Sequence, residues 1–415
     1  MKQTILFTIA GVLLCASGLA QVNSGSNGSD GAFNPTTDIV INMADHPTGV
    51  YHYTSVDIPT NVTVTFIPNA NNTPVVWLVQ SNCTIEGRVS VNGLDGNYSL
   101  ISSFQGGMGG PGGFAGGNAG RDDHEDPGSG IGPGGGKVAA GHPDWYGGNA
   151  SFGTVGSVTN GAHLAGDTYG NEVLLPLIGG SGGGGGGSQS WYVSGARFSG
   201  GGGGGAILIA VSGNLLIEVS GKIEANGGAG GYYGGGPYGS YGGGGSGGGI
   251  RLIATRLEGR GLLSASGGYG SGSWTQGGGR GRIRLESYFD DFTGSTVGVT
   301  TRGFTGIIIM PTNELPQLSI TSIGGVPVSV SPSGQLATPD AVLSAQQNNA
   351  IPITVHCSNI PLNSPITVTV KPANGPAVSA TGLNNSGTLA SSTATVSTVI
   401  PRGGGLIYAT AATSN

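Results

Sequence analysis

Apolar and polar residues alternate along this chain in short runs separated by Gly, Asn, Pro and Thr, and the runs recur. Residues 38–93 hold Ile39-Val-Ile41, Tyr51-His-Tyr53, Val62-Thr-Val-Thr-Phe66, Val75-Val-Trp-Leu-Val79 and a further run from Ile85 to Val91. A two-residue period rich in β-branched and aromatic side chains predicts strands, and nothing here has the period or caps of a helix. The phrase Thr84-Ile-Glu-Gly-Arg-Val-Ser-Val-Asn-Gly93 returns as Glu218-Val-Ser-Gly-Lys-Ile-Glu-Ala-Asn-Gly227, and more loosely as Leu257-Glu-Gly-Arg-Gly-Leu-Leu-Ser-Ala-Ser-Gly267. A second phrase, Ala206-Ile-Leu-Ile-Ala210, returns as Gly249-Ile-Arg-Leu-Ile-Ala254 and Arg282-Ile-Arg-Leu-Glu286, each after a glycine run. Ile207, Ile250 and Ile283 head these copies, 43 and 33 residues apart. Such repeats bury a shared core only when stacked. Alternation places Ile207 and Ile209 on one face, then Ile217 with Val219, then Ile223 with Ala225, in three short strands with turns at Gly213 and Gly221. That is a rung of roughly twenty residues, the size of one coil of a parallel β-helix.

Residues 94–205 break the alternation. Glycine supplies 87 of the 415 residues, about three times its usual share, without the Gly-X-Y period of collagen. Two states are open to such a stretch. One is a flexible linker. The other is a set of extended, polyglycine-II-like helices that pack closely because no Cβ intervenes. The second reconciles so long an insert with the rarity of structureless loops in compact domains. Leu174-Leu-Pro-Leu-Ile178 reads as an apolar plug tying the insert to the core, and residues 288–292 and 307–310 as closures of an otherwise sticky sheet edge.

Composition changes at Glu314-Leu-Pro316. Residues 315–415 are rich in Ser, Thr, Val and Pro, with strand-like runs at regular intervals, which predicts a small β-sandwich of immunoglobulin-like layout. The expected fold is therefore all-β: right-handed parallel β-helix-like coils over residues 38–314 with the glycine-rich insert 94–205, then the β-sandwich. Residues 21–37 are polar and read as a flexible leader.

The first twenty residues read as a signal peptide. Lys2 precedes a ten-residue apolar run from Ile5 to Leu14, too short to span a bilayer, and Gly18-Leu19-Ala20 places cleavage after Ala20. Acylation at Cys15 is the rival, but it needs a small residue before the cysteine and Leu14 is bulky. No later segment is apolar enough to cross a membrane, so the expected location is secreted or cell-surface. A net charge of −6 argues against nucleic acid as a partner. Cys83 and Cys357 share the parity of apolar neighbours and are expected inside as small apolar side chains.

Candidate chemistry is sparse. Asp122, Asp123, Glu125 and Asp126 are hard oxygen donors suited to calcium, the one cofactor considered, although the spacing of an EF-hand is absent. His142, Asp144, His163 and Asp167 lie in the same insert without metal-ligand spacing. Arg88, Lys222 and Arg260 follow glycine in the three copies, an alignment that predicts an outward basic ladder able to grip an anionic polysaccharide; Arg251 and Arg284 form another near Glu258 and Glu286. Solvated faces with weak ion pairs are the plainer reading of both. Trp145, Tyr146, Trp191, Tyr192, Tyr232, Tyr233 and Trp274 decorate the glycine segments, as do Tyr238, Tyr241 and Tyr269. Flat rings there can stack on sugars or simply cover bare backbone. No phosphate loop or metalloprotease motif occurs.

The coil phrase at residues 219–227, the glycine run at 179–187 and the terminal region 317–415 together resemble exported, glycine-rich, adhesin-like bacterial proteins of β-helix type with a C-terminal β-sandwich. Residues 106–249 are also similar in composition to the polyglycine tips of certain phage tail-fibre adhesins, and the coils look like those of pectate-lyase-type β-helices. One scaffold thus serves binders and enzymes, and the fold does not choose between them. The expectation is an exported surface or extracellular structural or adhesive protein contacting polysaccharide through the excursion aromatics. The alternative is a polysaccharide lyase or glycoside hydrolase on the same coils, and a purely structural fibre subunit is a third.

Overall fold

The computed structural model describes residues 21–99, 105–120, 127–138, 146–158, 165–186, 197–232, 242–270, 273–303, 316–329, 332, 339–372 and 376–411. The expected signal segment 1–20 and the expected closure at 307–310 lie outside them. Seven strands precede the glycine-rich stretch: β1 (Gly31–Phe33), β2 (Ile39–Asn42), β3 (Val50–Ile58), β4 (Thr63–Ile67), β5 (Val75–Val79), β6 (Cys83–Ile85) and β7 (Arg88–Ser90). Inside that stretch β8 (Tyr98–Ser99) pairs with β9 (Arg197–Phe198). There follow β10 (Ala206–Ile217), β11 (Lys222–Glu224), β12 (Gly249–Gly259), β13 (Leu262–Ser264), the short pair β14 (Tyr269–Gly270) and β15 (Ser273–Gly277), then β16 (Arg282–Phe292), β17 (Ser295–Val297) and β18 (Val299–Gly303).

The chain shuttles between two parallel sheets. One runs β1-β3-β5-β10-β12-β16-β18, with β6 also pairing β3 and β10; the other runs β17-β13-β11-β7-β4-β2. Each pass adds a strand to both, so identical positions of the repeat become register partners. Val75, Ile207, Ile250 and Ile283 form one row across four strands, and Trp77, Ile209, Leu252 and Leu285 the next. Val89, Ile223 and Leu263 face them from the second sheet. All are buried, each worth ~1.5–3 kcal/mol relative to exposure. The repeat spacing is thus met as stacking, and β10 pairs with β5 across the whole 94–205 insert. At the N-terminal end rings fill the core: Phe33 stacks on Tyr53 at 5.1 Å, and both stand edge-on to the fully buried Trp77.

Four expectations change. Residues 21–37 are laced to the sheet rather than free. The Val22 amide donates to Thr255 Oγ1 at 2.8 Å, the Ser24 amide to Ser212 Oγ at 3.0 Å, and β1 pairs with β3. The cause is the outer face of the first sheet, where Val76, Leu78, Leu208 and Ile253 need cover and Val22 and Leu177 supply it. Val219 is 73% exposed, because it lies on the corner between β10 and β11. Gly213 sits within β10 at a register shift between Val211 and Asn214, making a bend in the strand instead of a turn. Residues 288–291 continue β16 with exposed side chains, and the strand that follows in the sheet, β18, pairs with β16 over Arg282–Glu286 only.

The glycine-rich stretch is an array. Within residues 198–205 the backbone donors rotate among three neighbours. The amides of Gly200 and Gly203 reach Gly117 and Phe114, those of Gly201 and Gly204 reach Gly243 and Ser246, and those of Gly202 and Gly205 reach Leu94 and Val91. The same direction recurs every third residue, the period of a three-residue-per-turn extended helix. Residues 107, 110, 180, 183, 228 and 231 donate back to the segment, so it is bonded to six others. Residues 179–186 are likewise bonded to chain on all sides. Every buried amide and carbonyl so paired avoids the penalty of an orphan. Leu174, buried, packs its methyl groups toward Gly249, and Tyr169 donates from its hydroxyl to the Gly179 carbonyl at 2.7 Å while stacking on Phe152.

Beyond residue 316 come β19 (Gln317–Ile323), β20 (Val326–Pro327), β21 (Ile351–Ser358), β22 (Pro365–Pro372), β23 (Val378–Leu383), β24 (Ser386–Gly387), β25 (Ser392–Thr398) and β26 (Gly405–Ala411). They form two antiparallel sheets, β20-β19-β21-β25-β24 and β23-β22-β26, around a separate core of Ile353, Val355, Ile366, Val368, Val370 and Val396. Cys83 and Cys357 are free and buried, one in each core.

Candidate functional site

The array has two distinct ends. At the near end it continues into the strands, where Gly205 bonds to Val91 and Ala206 begins β10. At the far end the outgoing and returning legs of several excursions meet. Gly128 donates to Asn118, Gly148 to Lys137, Gly186 to Phe198 and Gly242 to Gly231, and Tyr269 of β14 pairs with Gly277 of β15. Cross-links such as Gly231 to Ser199 and Gly230 to Tyr269 tie these legs together. Backbone pairing alone therefore gathers the bases of several excursions onto one end of one bonded bundle.

Most of the residues singled out in the sequence belong to those excursions. Asp122, Asp123, Glu125 and Asp126 fall between Asn118 and Gly128, Trp145 between Lys137 and Gly148, Trp191 and Tyr192 between Gly186 and Phe198, and Tyr233 between Gly231 and Gly242. All of these, with His142, Asp144 and His163, lie outside the described residues. Trp274 belongs to β15. Tyr146 and Tyr232 are half-buried at the same end, and Tyr269 is 60% exposed beside them. Asp167 pairs with Lys137 at 3.1 Å in an exposed setting. Among the described residues no group of three or more His, Cys, Asp or Glu side chains gathers, and no helix is long and apolar enough to cross a membrane.

The basic ladder is not built as the sequence alignment predicts. Lys222 pairs in register with Arg88, but its partner on the other side is Leu262, not Arg260. The glycine that precedes each strand is Gly87, Gly221 and Gly261. A Cβ at any of them would come within 2.5 Å of a neighbouring coil's atoms, so these glycines, not Gly259, set the register. Arg260 falls one step earlier, on the corner. The amides of Glu86, Glu218 and Arg260 donate to Ile58, Ile85 and Ile217 in turn, which stacks the three residues on successive coils. Glu86 and Glu218, with Val219 and Ser220, line a shallow open groove of about 410 Å³. Arg88 is taken up by Glu224, whose Oε2 accepts from its Nε at 2.8 Å and Nη2 at 2.5 Å.

Nor are Arg251 and Arg284 an outward solvated row. They are register partners, and both donate to Glu286 Oε1 at 3.0 Å, from Arg251 Nη2 and Arg284 Nε. Arg251 is 1% and Glu286 3% exposed. Burial lowers the Arg251 guanidinium's hold on its proton, and Glu286 opposes that.

Sequence reasoning passed over one polar row. Asn226 accepts from Ser264 Oγ, the Ser266 amide and Ser266 Oγ through its Oδ1, and its amide donates to Asn92 Oδ1 at 2.7 Å. These residues fasten the coils where they pass into the array. Their signal was the Asn-Gly pair that ends two copies of the coil phrase, with Ser-Gly in the third. Comparison with known proteins finds no matching family model, no similar curated protein and no similar solved structure.

Proposed function

We propose that this is an exported surface or extracellular protein with a structural or adhesive role. In this reading a right-handed β-helix carries a polyglycine-II-like bundle that presents the excursions at its far end, where their aromatic residues contact polysaccharide, with an immunoglobulin-like sandwich as the second domain. The observation that carries it is the gathering of excursion bases at one end of a bundle bonded on all sides. Loops held by a stiff scaffold are suited to recognition, since little ordering entropy is lost on contact. Trp145, Tyr146, Trp191, Tyr192, Tyr232, Tyr233 and Trp274 are the proposed sugar contacts, and Asp122, Asp123, Glu125 and Asp126 the proposed calcium ligands. Arg260 and Lys222, on different rows, are not proposed as one ladder.

The test is a broad glycan array probed with residues 21–415, with and without calcium, alongside a variant carrying Ala at Trp145, Trp191 and Trp274. Saturable binding that the variant loses is the expected result. Binding that survives all three substitutions, or a blank array, overturns the carbohydrate reading.

A further inference from the structure

The seam between the C-terminal sandwich and the glycine array joins β22 and β26 to residues 114–135. Tyr408 of β26 donates from its hydroxyl to the Gly132 carbonyl at 3.3 Å, and its ring lies 6.2 Å from that of Phe114 in the array. Lys371 of β22, paired with Leu406 across the sheet, carries its Nζ 5.9 Å from the Tyr408 ring centroid. A Cβ on Gly135 would come 2.8 Å from that Nζ, so the amine lies against bare array backbone. Lys371 is 8% exposed. A lysine covered this far with no carboxylate beside it among the described residues is unusual.

We infer that this seam is a proton-linked latch, in which the sandwich docks on the glycine array with Lys371 as a neutral amine and is loosened when that amine is protonated. The groups that face it, among the described residues, are few. β26 brings Tyr408. The array brings Tyr169, close to Gly134, and the Lys137–Asp167 pair, which lies out in solvent. None supplies a buried negative charge. Burial alone pulls Lys371 from its ordinary 10.5 down to about 7. Tyr408 is pushed up by burial, so it docks as the neutral phenol.

The sign follows from the two states of the lysine. Docked, it holds its proton only below about 7; released into water, it holds it up to its ordinary value. Docking therefore expels a proton between those limits and strengthens as pH rises through them, by up to about tenfold in the docking equilibrium per pH unit. Below that window docking stays at its weak limit. Above about pH 10, ionisation of a released Tyr408 opposes docking again.

The experiment uses residues 21–415 labelled for energy transfer at Val219→Cys and Leu389→Cys, both exposed positions, while native Cys83 and Cys357 are buried. The docked fraction is read from about pH 6.5 to about pH 9.5. In the otherwise native chain it should rise steeply with pH. Lys371→Met should be docked throughout with no pH dependence, and Tyr408→Ala should lower docking at every pH while keeping the slope. A native signal that is flat across the range, or a slope that survives in Lys371→Met, overturns the latch.

Discussion

Gly183→Ala should destabilise the protein by about 3 kcal/mol, whereas Gly184→Ala, one residue further on, should cost no more than about 1 kcal/mol. At Gly183 an added Cβ would stand 2.1 Å from the Gly243 carbonyl oxygen and 2.3 Å from its carbon. Both atoms are backbone, held by bonds to further segments, and cannot swing away. At Gly184 the nearest atoms are 3.1 Å off, and a shift of a few tenths of an ångström accommodates the methyl. In a flexible linker the two substitutions would be equivalent, and each would slightly stabilise by narrowing the unfolded ensemble. Denaturant midpoints of the two variants therefore separate a packed array from a linker.

Glu286→Gln should be comparably severe, at about 3–5 kcal/mol. The substitution keeps shape but removes the one negative charge bonded to Arg251 among the described residues, leaving a buried guanidinium to bear its own desolvation. Arg251→Leu should be much milder, since Glu286 keeps Arg284 as a partner and the row already holds Leu208 next to Arg251. Urea unfolding of both variants checks the asymmetry. Equal losses would mean that the three charges are stabilised by something other than their shared carboxylate.

The stack was legible because its cause is local. Side chains that alternate and recur, as Ile207, Ile250 and Ile283 do, can only be satisfied by one another. Register at the corners was less so: Gly259-Arg260 comes before β13 as Gly87-Arg88 comes before Val89, yet the glycine that fits between coils is Gly261. Choosing it requires knowing which backbone atoms approach, and no pattern of hydropathy carries that. The same holds for Arg251 and Arg284, whose polarity reads as surface, while the carboxylate that holds both belongs to Glu286, one coil on from Arg251 and on the same strand as Arg284. The array was open to two readings for a related reason. Glycine gives no apolar period, so order depends on backbone bonds between segments, whose three-residue rhythm is invisible in a run of identical residues. The excursions were legible as composition, through their tryptophans and tyrosines, but the meeting of their bases emerged only from the pairing of their legs.

Amide hydrogen exchange of the native chain decides whether the glycine segments form a bonded interior. Residues 180–185 and 200–205, each donating to a neighbouring segment, should be protected to the degree seen in β10 and β12, because releasing them requires opening the bundle. Exchange of these amides at the rate of an unstructured chain, with β10 and β12 still protected, would contradict the account.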